Sequence, residues 1–403
     1  MTKEYLQGYQ RVKNNAWRIC VIAGFLPASV EKIYVHTIDF IQLLEPLAKD
    51  IFIISRNFPP QSEPSSEKIH IVNIRHRIGV QYPMLVRIPG FIIMQLKISY
   101  NLIKLAKKVD IIFMSIGVAT LVLPVLTARL LGKKVISIYP GPGAVRRNSE
   151  ADYQKTLFGI GKHIFLPIVG ILERLNYCFA SKIVVYLPEL TDSTLKRHTN
   201  KIFFSGSRFY VDIDFFKVKK NLDDRESLVG YVGEFIEVKG VMNFGKAIPL
   251  ILKESIATKI MMVGDGSLRA DIEKEIKDAE LGNKVIIKEW VPHDKLPGYL
   301  NKLKLLVIPS YIEVGPLILF EAMACGTPVL SVPVGVVPGV IKDGETGFIM
   351  EDNSPECIAR NVIRALSHPN LEQIAKKARA FAEKEYSFEA AVKEYKATLA
   401  HLK

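Results

Sequence analysis

The sequence predicts an α/β protein built from two doubly wound parallel-sheet domains that face each other across a cleft. Three observations predict it. The chain has 403 residues, and a single core rarely grows beyond roughly 250–300 residues. Short Val/Ile-rich runs alternate with stretches of helical period, the pattern of buried parallel strands covered by helices on both faces. The alternation runs through residues 19–185 and restarts at residues 228–232, which makes two successive units.

In the first unit the candidate strands are residues 19–23, 51–55, 69–74, 111–115, 134–138 and 182–185, with helical patterns at 37–48 and 92–108. Residues 19–30 are apolar and follow basic residues, as a signal peptide would. A long polar stretch precedes them and Glu31-Lys32 follows, so they are expected to be a first buried strand and its loop. Residues 111–128 are uncharged and just reach the length of a membrane span. They divide better into a strand, a loop at Gly117 and a helix from Thr120 to Gly132, with Pro124 in its first turn or two. The junction is expected in residues 205–220, which lack a sustained period and carry Lys217, Lys219 and Lys220. The second unit offers strands at 228–232, 259–263, 285–288, 305–309 and 329–332, and the chain closes on an amphipathic helix pattern at 388–402. The expected domains are residues 1–212, joined by the C-terminal helix 387–403, and residues 213–386.

Composition is that of an ordinary globular protein: 49% hydrophobic and 24% charged residues. The net charge of +13 is unevenly spread. Up to Tyr210 there are 28 Lys and Arg against 13 Asp and Glu, and the remainder of the chain is slightly acidic. The first half is therefore expected to face a polyanion or an anionic surface. Residues 82–108 and 157–175 combine Ile, Leu and Met with Arg87, Lys97, Lys104, Lys107, Lys108, Lys162, His163 and Arg174. Such helices lie either in a membrane interface or in a core with a solvated basic edge. No aromatic-interleaved basic strand and no helix-turn-helix pattern is present, so no nucleic acid is expected. Cys20, Cys178, Cys325 and Cys357 are too scattered for metal ligation or a disulfide framework, which fits a reducing, cytoplasmic compartment.

The strongest chemical signal is Glu313-Val-Gly-Pro-Leu-Ile-Leu-Phe-Glu321, continued by Ala-Met-Ala-Cys-Gly-Thr-Pro-Val. Gly315 and Pro316 fix an extended loop after a strand, and a helix starts near Leu317. The helix N-terminus offers amide N–H groups and a positive dipole end to a diphosphate. Glu321, one turn in, is within reach of a hydroxyl pair on a ribose, and Glu313 of sugar hydroxyls. On the residues alone, a purely structural role for both carboxylates, in the helix dipole and in a turn cap, remains open.

This segment resembles the Glu-x7-Glu signature of the family 4 retaining glycosyltransferases, which have the GT-B fold of two Rossmann-like domains. Further motifs follow in the family's order: Gly230-Tyr-Val-Gly233-Glu234-Phe-Ile-Glu-Val-Lys239-Gly240, Val263-Gly264-Asp-Gly266, Trp290-Val291 with Leu296-Pro297-Gly-Tyr299, and Gly344-Glu-Thr-Gly347-Phe348. The first half is similar only in layout. The resemblance implies a nucleotide-sugar donor site made of Gly233, Glu234, Lys239, Gly264, Trp290, Val291, Glu313, Gly315, Pro316, Leu317 and Glu321. Lys239 would contact the diphosphate, Glu321 the ribose and Glu313 the donor sugar, with Glu313 and Lys239 as catalytic residues. The backbone near Val291 would pair with the base, and the amides near Pro316 and Leu317 would meet the phosphates. Gly24 and Tyr139 would lie on the acceptor side. No metal and no resident cofactor are expected, because Lys239 and helix amides neutralise the leaving diphosphate.

Four departures mark this chain. Glu234 stands where the family has an Arg at the diphosphate, so either the loop turns Glu234 away or another cation compensates, with Arg208 and Arg269 as the candidates. The loop at Gly24-Phe-Leu-Pro27 lacks paired glycines, Tyr139 replaces a His, and Gly335-Val-Val-Pro338-Gly339 replaces a Gly-Gly-x-Pro-Glu turn. The function expected is retaining transfer from a nucleotide-diphosphate sugar to a lipid-linked or membrane-associated acceptor. The enzyme would be peripheral on the cytoplasmic face, against an anionic membrane surface. Two alternatives stay open: the same chemistry on a soluble sugar phosphate, and an inactive binding or scaffold subunit.

Overall fold

The computed structural model describes residues 17–23, 31–56, 66–74, 84–115, 118–139, 162–186, 191, 194–204, 210–255, 257–313 and 315–400. The chain divides into two compact units, residues 1–208 with 392–403, and residues 209–391.

Among the described residues the first unit holds seven parallel strands: β1 (Trp17–Ile22), β2 (Ala48–Arg56), β3 (Ile69–Ile74), β4 (Ile111–Met114), β5 (Lys134–Tyr139), β6 (Lys182–Val185) and β7 (Ile202–Phe204), in the order β3-β2-β1-β4-β5-β6-β7. Ile19, Ile51, Ile111 and Ile183 are fully buried, because helices leave neither face of a parallel sheet to water. The uncharged run after Asp110 splits as expected, into β4 and the helix Val122–Leu130, with Pro124 in the first helical turn. Among the described residues no helix is long and apolar enough to cross a membrane. The helix Met84–Leu105 sends Met94, Ile98 and Leu102 into this unit's core. Residues of the last helix from Val392 onward belong to the same unit. Tyr395 packs edge-on against Phe40 at 5.7 Å.

The second unit holds six parallel strands: β8 (Leu228–Val232), β9 (Lys259–Val263), β10 (Val285–Lys288), β11 (Leu305–Ile308), β12 (Val329–Ser331) and β13 (Phe348–Ile349), in the order β10-β9-β8-β11-β12-β13. Sequence reasoning missed β7 and β13. They have three and two residues at the ends of their sheets, too short to show a period. In this order β8 has β9 on one side and β11 on the other, so the winding reverses between β8 and β11. Ligands of open α/β sheets bind beyond the carboxyl ends of the strands at such a switch point. The loops that leave β8 and β11 there are residues 233–240 and 309–316.

Candidate active site

The loop after β8 is built by backbone pairing. Gly233 N–H donates to the Val263 carbonyl, Phe235 N–H to that of Asp265 and Lys239 N–H to that of Ile236. Gly240 closes the turn at φ +64°, where a Cβ would stand 1.9 Å from the Pro309 carbonyl oxygen. Only glycine fits there, and its absence of side chain lets the β8 loop lie against the end of β11. Gly264, at φ +151°, is likewise pressed on the Gly233 carbonyl, 1.8 Å from where its Cβ would be.

This approach carries Lys239 to Glu313. Lys239 Nζ lies 2.5 Å from Glu313 Oε1, and the same oxygen accepts from Ser310 Oγ at 3.1 Å. Both partners are largely shielded from water. The Tyr231 hydroxyl donates to the Glu234 carbonyl at 2.7 Å. Burial pushes this phenol up, and the Glu313 and Glu234 carboxylates push it further the same way. Arg269, one of the two cations expected to compensate, is bound to Glu273 at 2.8 Å and donates to the Gly264 carbonyl at 3.4 Å. Arg208 lies outside the described residues.

The Glu-x7-Glu segment forms the helix Leu317–Ala324, with Pro316 as its N-cap. Glu321 is 7% exposed, and its Oε1 accepts from His293 Nε2 at 2.8 Å. The His293 ring is stacked near Phe215, at 6.1 Å and 28°, and meets Phe216 edge-on at 5.3 Å.

Two arginines hold the far end of this helix. Arg225 is 5% exposed, and among the described residues no ion pair to a carboxylate accompanies its hydrogen bonds. It donates to the carbonyls of Lys220, Leu300, Leu303 and Cys325 and to Thr327 Oγ1. Burial lowers its pKa to about 10, so it stays charged at neutral pH. Arg379 donates to the carbonyls of Ala324, Phe216 and Ile213. Cations at a helix C-terminus complement its dipole and its unpaired carbonyls.

Of the predicted site residues, Lys239 and Glu313 are therefore brought together, and Glu321 stands apart on its helix with His293. Gly233 and Gly264 are placed for close backbone approach rather than for donation, since their N–H groups are spent on the Val263 and Lys288 carbonyls. Pro316 has no N–H, so its expected place in a phosphate cradle reduces to fixing the start of the helix. Trp290 is exposed just after β10 and Val291 half-buried beside it. Tyr139 ends β5 in the first unit, and its side chain is buried edge-on against Tyr177 at 5.7 Å. That is a core position at the carboxyl end of the strand. Gly24 lies outside the described residues. Sequence reasoning missed Ser310, Tyr231 and His293. Ser310 had a signal, three residues before Glu313 in one loop; nothing in the sequence shows that His293 reaches Glu321.

Residues 212–385 match the model of the family described as glycosyl transferases group 1. The second unit is a group 1 glycosyltransferase domain. The chain resembles N-acetyl-alpha-D-glucosaminyl L-malate synthase of Bacillus anthracis, 28% identical over 195 residues, 48% of this chain and 50% of that protein. It also resembles alpha-D-kanosaminyltransferase of Streptomyces kanamyceticus, 31% identical over 171 residues, 42% of this chain and 44% of that protein. The chain spans about half the length of the curated relatives it matches. Over nearly its whole length it has the fold of Anabaena HepE, solved in complex with UDP: TM-score 0.69, 13% identity, covering 95% of this chain and 99% of that one. Sucrose-phosphate synthase from Thermosynechococcus elongatus gives TM-score 0.68 at 19% identity, covering 95% and 98%. The fold is GT-B.

Proposed function

We propose that this chain transfers a sugar from a nucleotide-diphosphate sugar to an acceptor, with retention at the anomeric carbon. The observation that carries the reading is the meeting of Lys239 and Glu313 at the switch point of a group 1 domain. A cation there is placed to take up charge as the diphosphate leaves, and Glu313 to accept hydrogen bonds from the donor sugar. The N-terminus of the Leu317–Ala324 helix adds amide donors, and Glu321 holds the ribose. With these groups the reaction needs no metal ion, and the departing diphosphate takes the acceptor's proton. Retention follows if the acceptor attacks from the side the diphosphate leaves. The solved complexes of HepE contain UDP and UDP-glucose, which makes uridine nucleotides the first donors to assay. The test is transfer, or slow donor hydrolysis, by the full chain in the presence of EDTA. Loss of activity with EDTA contradicts the metal-free mechanism. Nucleotide binding without any turnover points instead to a scaffold subunit.

The acceptor we propose is lipid-linked or membrane-associated, reached from the cytoplasmic face. The support is a stripe on the helix Met84–Leu105, where Ile92, Leu96, Tyr100 and Ile103 are each half or more exposed. They stand at helical spacing, with Lys97 and Lys104 exposed among them. Ile168, Ile171 and Leu175 of the helix Lys162–Phe179 are exposed as well. Large apolar side chains beside lysines suit the interface of an anionic bilayer. Names among the similar proteins span both acceptor kinds, from D-inositol 3-phosphate glycosyltransferase to a lipopolysaccharide N-acetylglucosaminetransferase. The apolar stripe favours the second, since a soluble sugar phosphate would need only the basic residues.

A further inference from the structure

His293 follows the base-binding turn and belongs to no motif of the family signature. In the structure it is tied to the signature all the same. Its Nε2 donates to Glu321 Oε1 at 2.8 Å, and that carboxylate is almost fully buried. The imidazole is itself placed from behind by Phe215 and Phe216. The Phe216 carbonyl is held by Arg379 Nη1 at 2.8 Å, and Arg379 also binds the end of the Glu321 helix. His293, whose outer side is open to water, thus links the Glu321 carboxylate to the aromatic pair, and Arg379 links that pair to the end of the Glu321 helix.

A glutamate has three side-chain torsions, and a cis-diol needs two acceptor oxygens in one fixed plane. Anchoring one carboxylate oxygen fixes that plane, and the lone pairs left over still accept two hydroxyl protons. We propose that His293 is a positioning residue that holds Glu321 for the 2′,3′-diol of a ribonucleotide donor. It thereby sets the preference for donors that carry both hydroxyls. The inference rests on the reading of the second unit as a nucleotide-sugar site.

The test uses the full chain and isothermal titration calorimetry. UDP, GDP and ADP are titrated first, and the tightest is then compared with its 2′,3′-dideoxy analogue. The wild type is expected to favour the ribose form by roughly tenfold or more, the scale of hydrogen bonds to a charged acceptor. His293→Ala is expected to lose most of that preference while binding the dideoxy form as the wild type does. His293→Gln, which keeps an N–H donor, is expected to restore it. A merely structural histidine would weaken both nucleotides alike, and that result overturns the proposal. So does a His293→Ala protein that keeps the wild-type ratio, or a His293→Gln protein no better than His293→Ala. A wild type that binds both forms equally removes Glu321 from the ribose, and the proposal with it. If no nucleoside diphosphate binds, the donor-site reading itself has failed.

Discussion

Lys239 Nζ stands 2.5 Å from Glu313 Oε1, although 74 residues of chain separate them. The pairing depends on Gly240, which lets the β8 loop touch the end of β11. It also means that any anion bound by Lys239 must share its ammonium with a carboxylate already there. Ser310 keeps Glu313 in place through the same oxygen.

Lys239→Ala is expected to lower turnover roughly 100-fold or more, the scale for losing a positioned electrostatic stabiliser. The fold should lose only about 1 kcal/mol, as for other partly exposed ion pairs. Steady-state kinetics beside urea unfolding separates the two effects. A stability loss with unchanged turnover would make the pair structural.

Glu321→Ala is expected to weaken donor binding by about 1.5–3 kcal/mol, the range for hydrogen bonds to a charged group. Calorimetry on the folded variant reads this directly. Unchanged affinity removes Glu321 from the nucleotide.

Gly240→Ala and Gly344→Ala differ by geometry alone. Both glycines have positive φ, +64° and +71°. A Cβ at Gly344 meets nothing within 4 Å, so only the backbone penalty of about 1–2 kcal/mol applies. A Cβ at Gly240 collides with the Pro309 backbone and forces the two loops apart. Gly240→Ala should therefore cost at least twice as much in urea unfolding and abolish turnover, whereas Gly344→Ala stays active.

Arg225→Met removes a buried cation and leaves four carbonyls and Thr327 without its donors. A loss of about 3 kcal/mol or more is expected, since each abandoned buried acceptor costs about 1–3 kcal/mol. Thermal unfolding measures it. A variant as stable as the wild type would show that water replaces the guanidinium.

Lys104, Lys107 and Lys108 replaced together by Glu should weaken binding to anionic liposomes and leave nucleotide binding intact. Each basic residue near such a surface contributes about 1 kcal/mol. Replacing Ile92 and Leu96 by Ser should remove the salt-resistant part. Sedimentation that is equal and negligible with anionic and neutral liposomes at low salt sends the basic residues to a soluble phosphorylated acceptor.

Much of this was legible before the structure. Eleven of the strands announced themselves as short apolar runs between helical periods, because burial on both faces of a parallel sheet leaves no room for polar residues. Glu313, Lys239 and Glu321 stood out because the segments that hold them resemble a family signature, and the structure brings the first two together. What stayed hidden depends on tertiary approach. The Gly233 and Gly264 amides are consumed by neighbouring strands, which no spacing reveals. The packing of the Tyr139 ring against Tyr177 is likewise a tertiary contact that the sequence does not show. His293 meets Glu321 only after a short helix, a strand and a loop have brought 28 residues of chain back on themselves. Arg225 reads as a surface charge in sequence and is buried only because a row of carbonyls receives it.

The central claim is that the second unit binds a nucleotide diphosphate between Lys239 and Glu321. The most direct measurement is the thermal unfolding of the wild type, Lys239→Ala and Glu321→Ala with and without UDP, GDP and ADP at saturating concentration. A ligand at 100 times its Kd stabilises the folded state by about 2.7 kcal/mol. The account predicts that at least one nucleotide raises the wild-type Tm by several degrees and that both variants lose most of that rise. A wild type that none of the three stabilises, or variants that gain as much as the wild type, would contradict it.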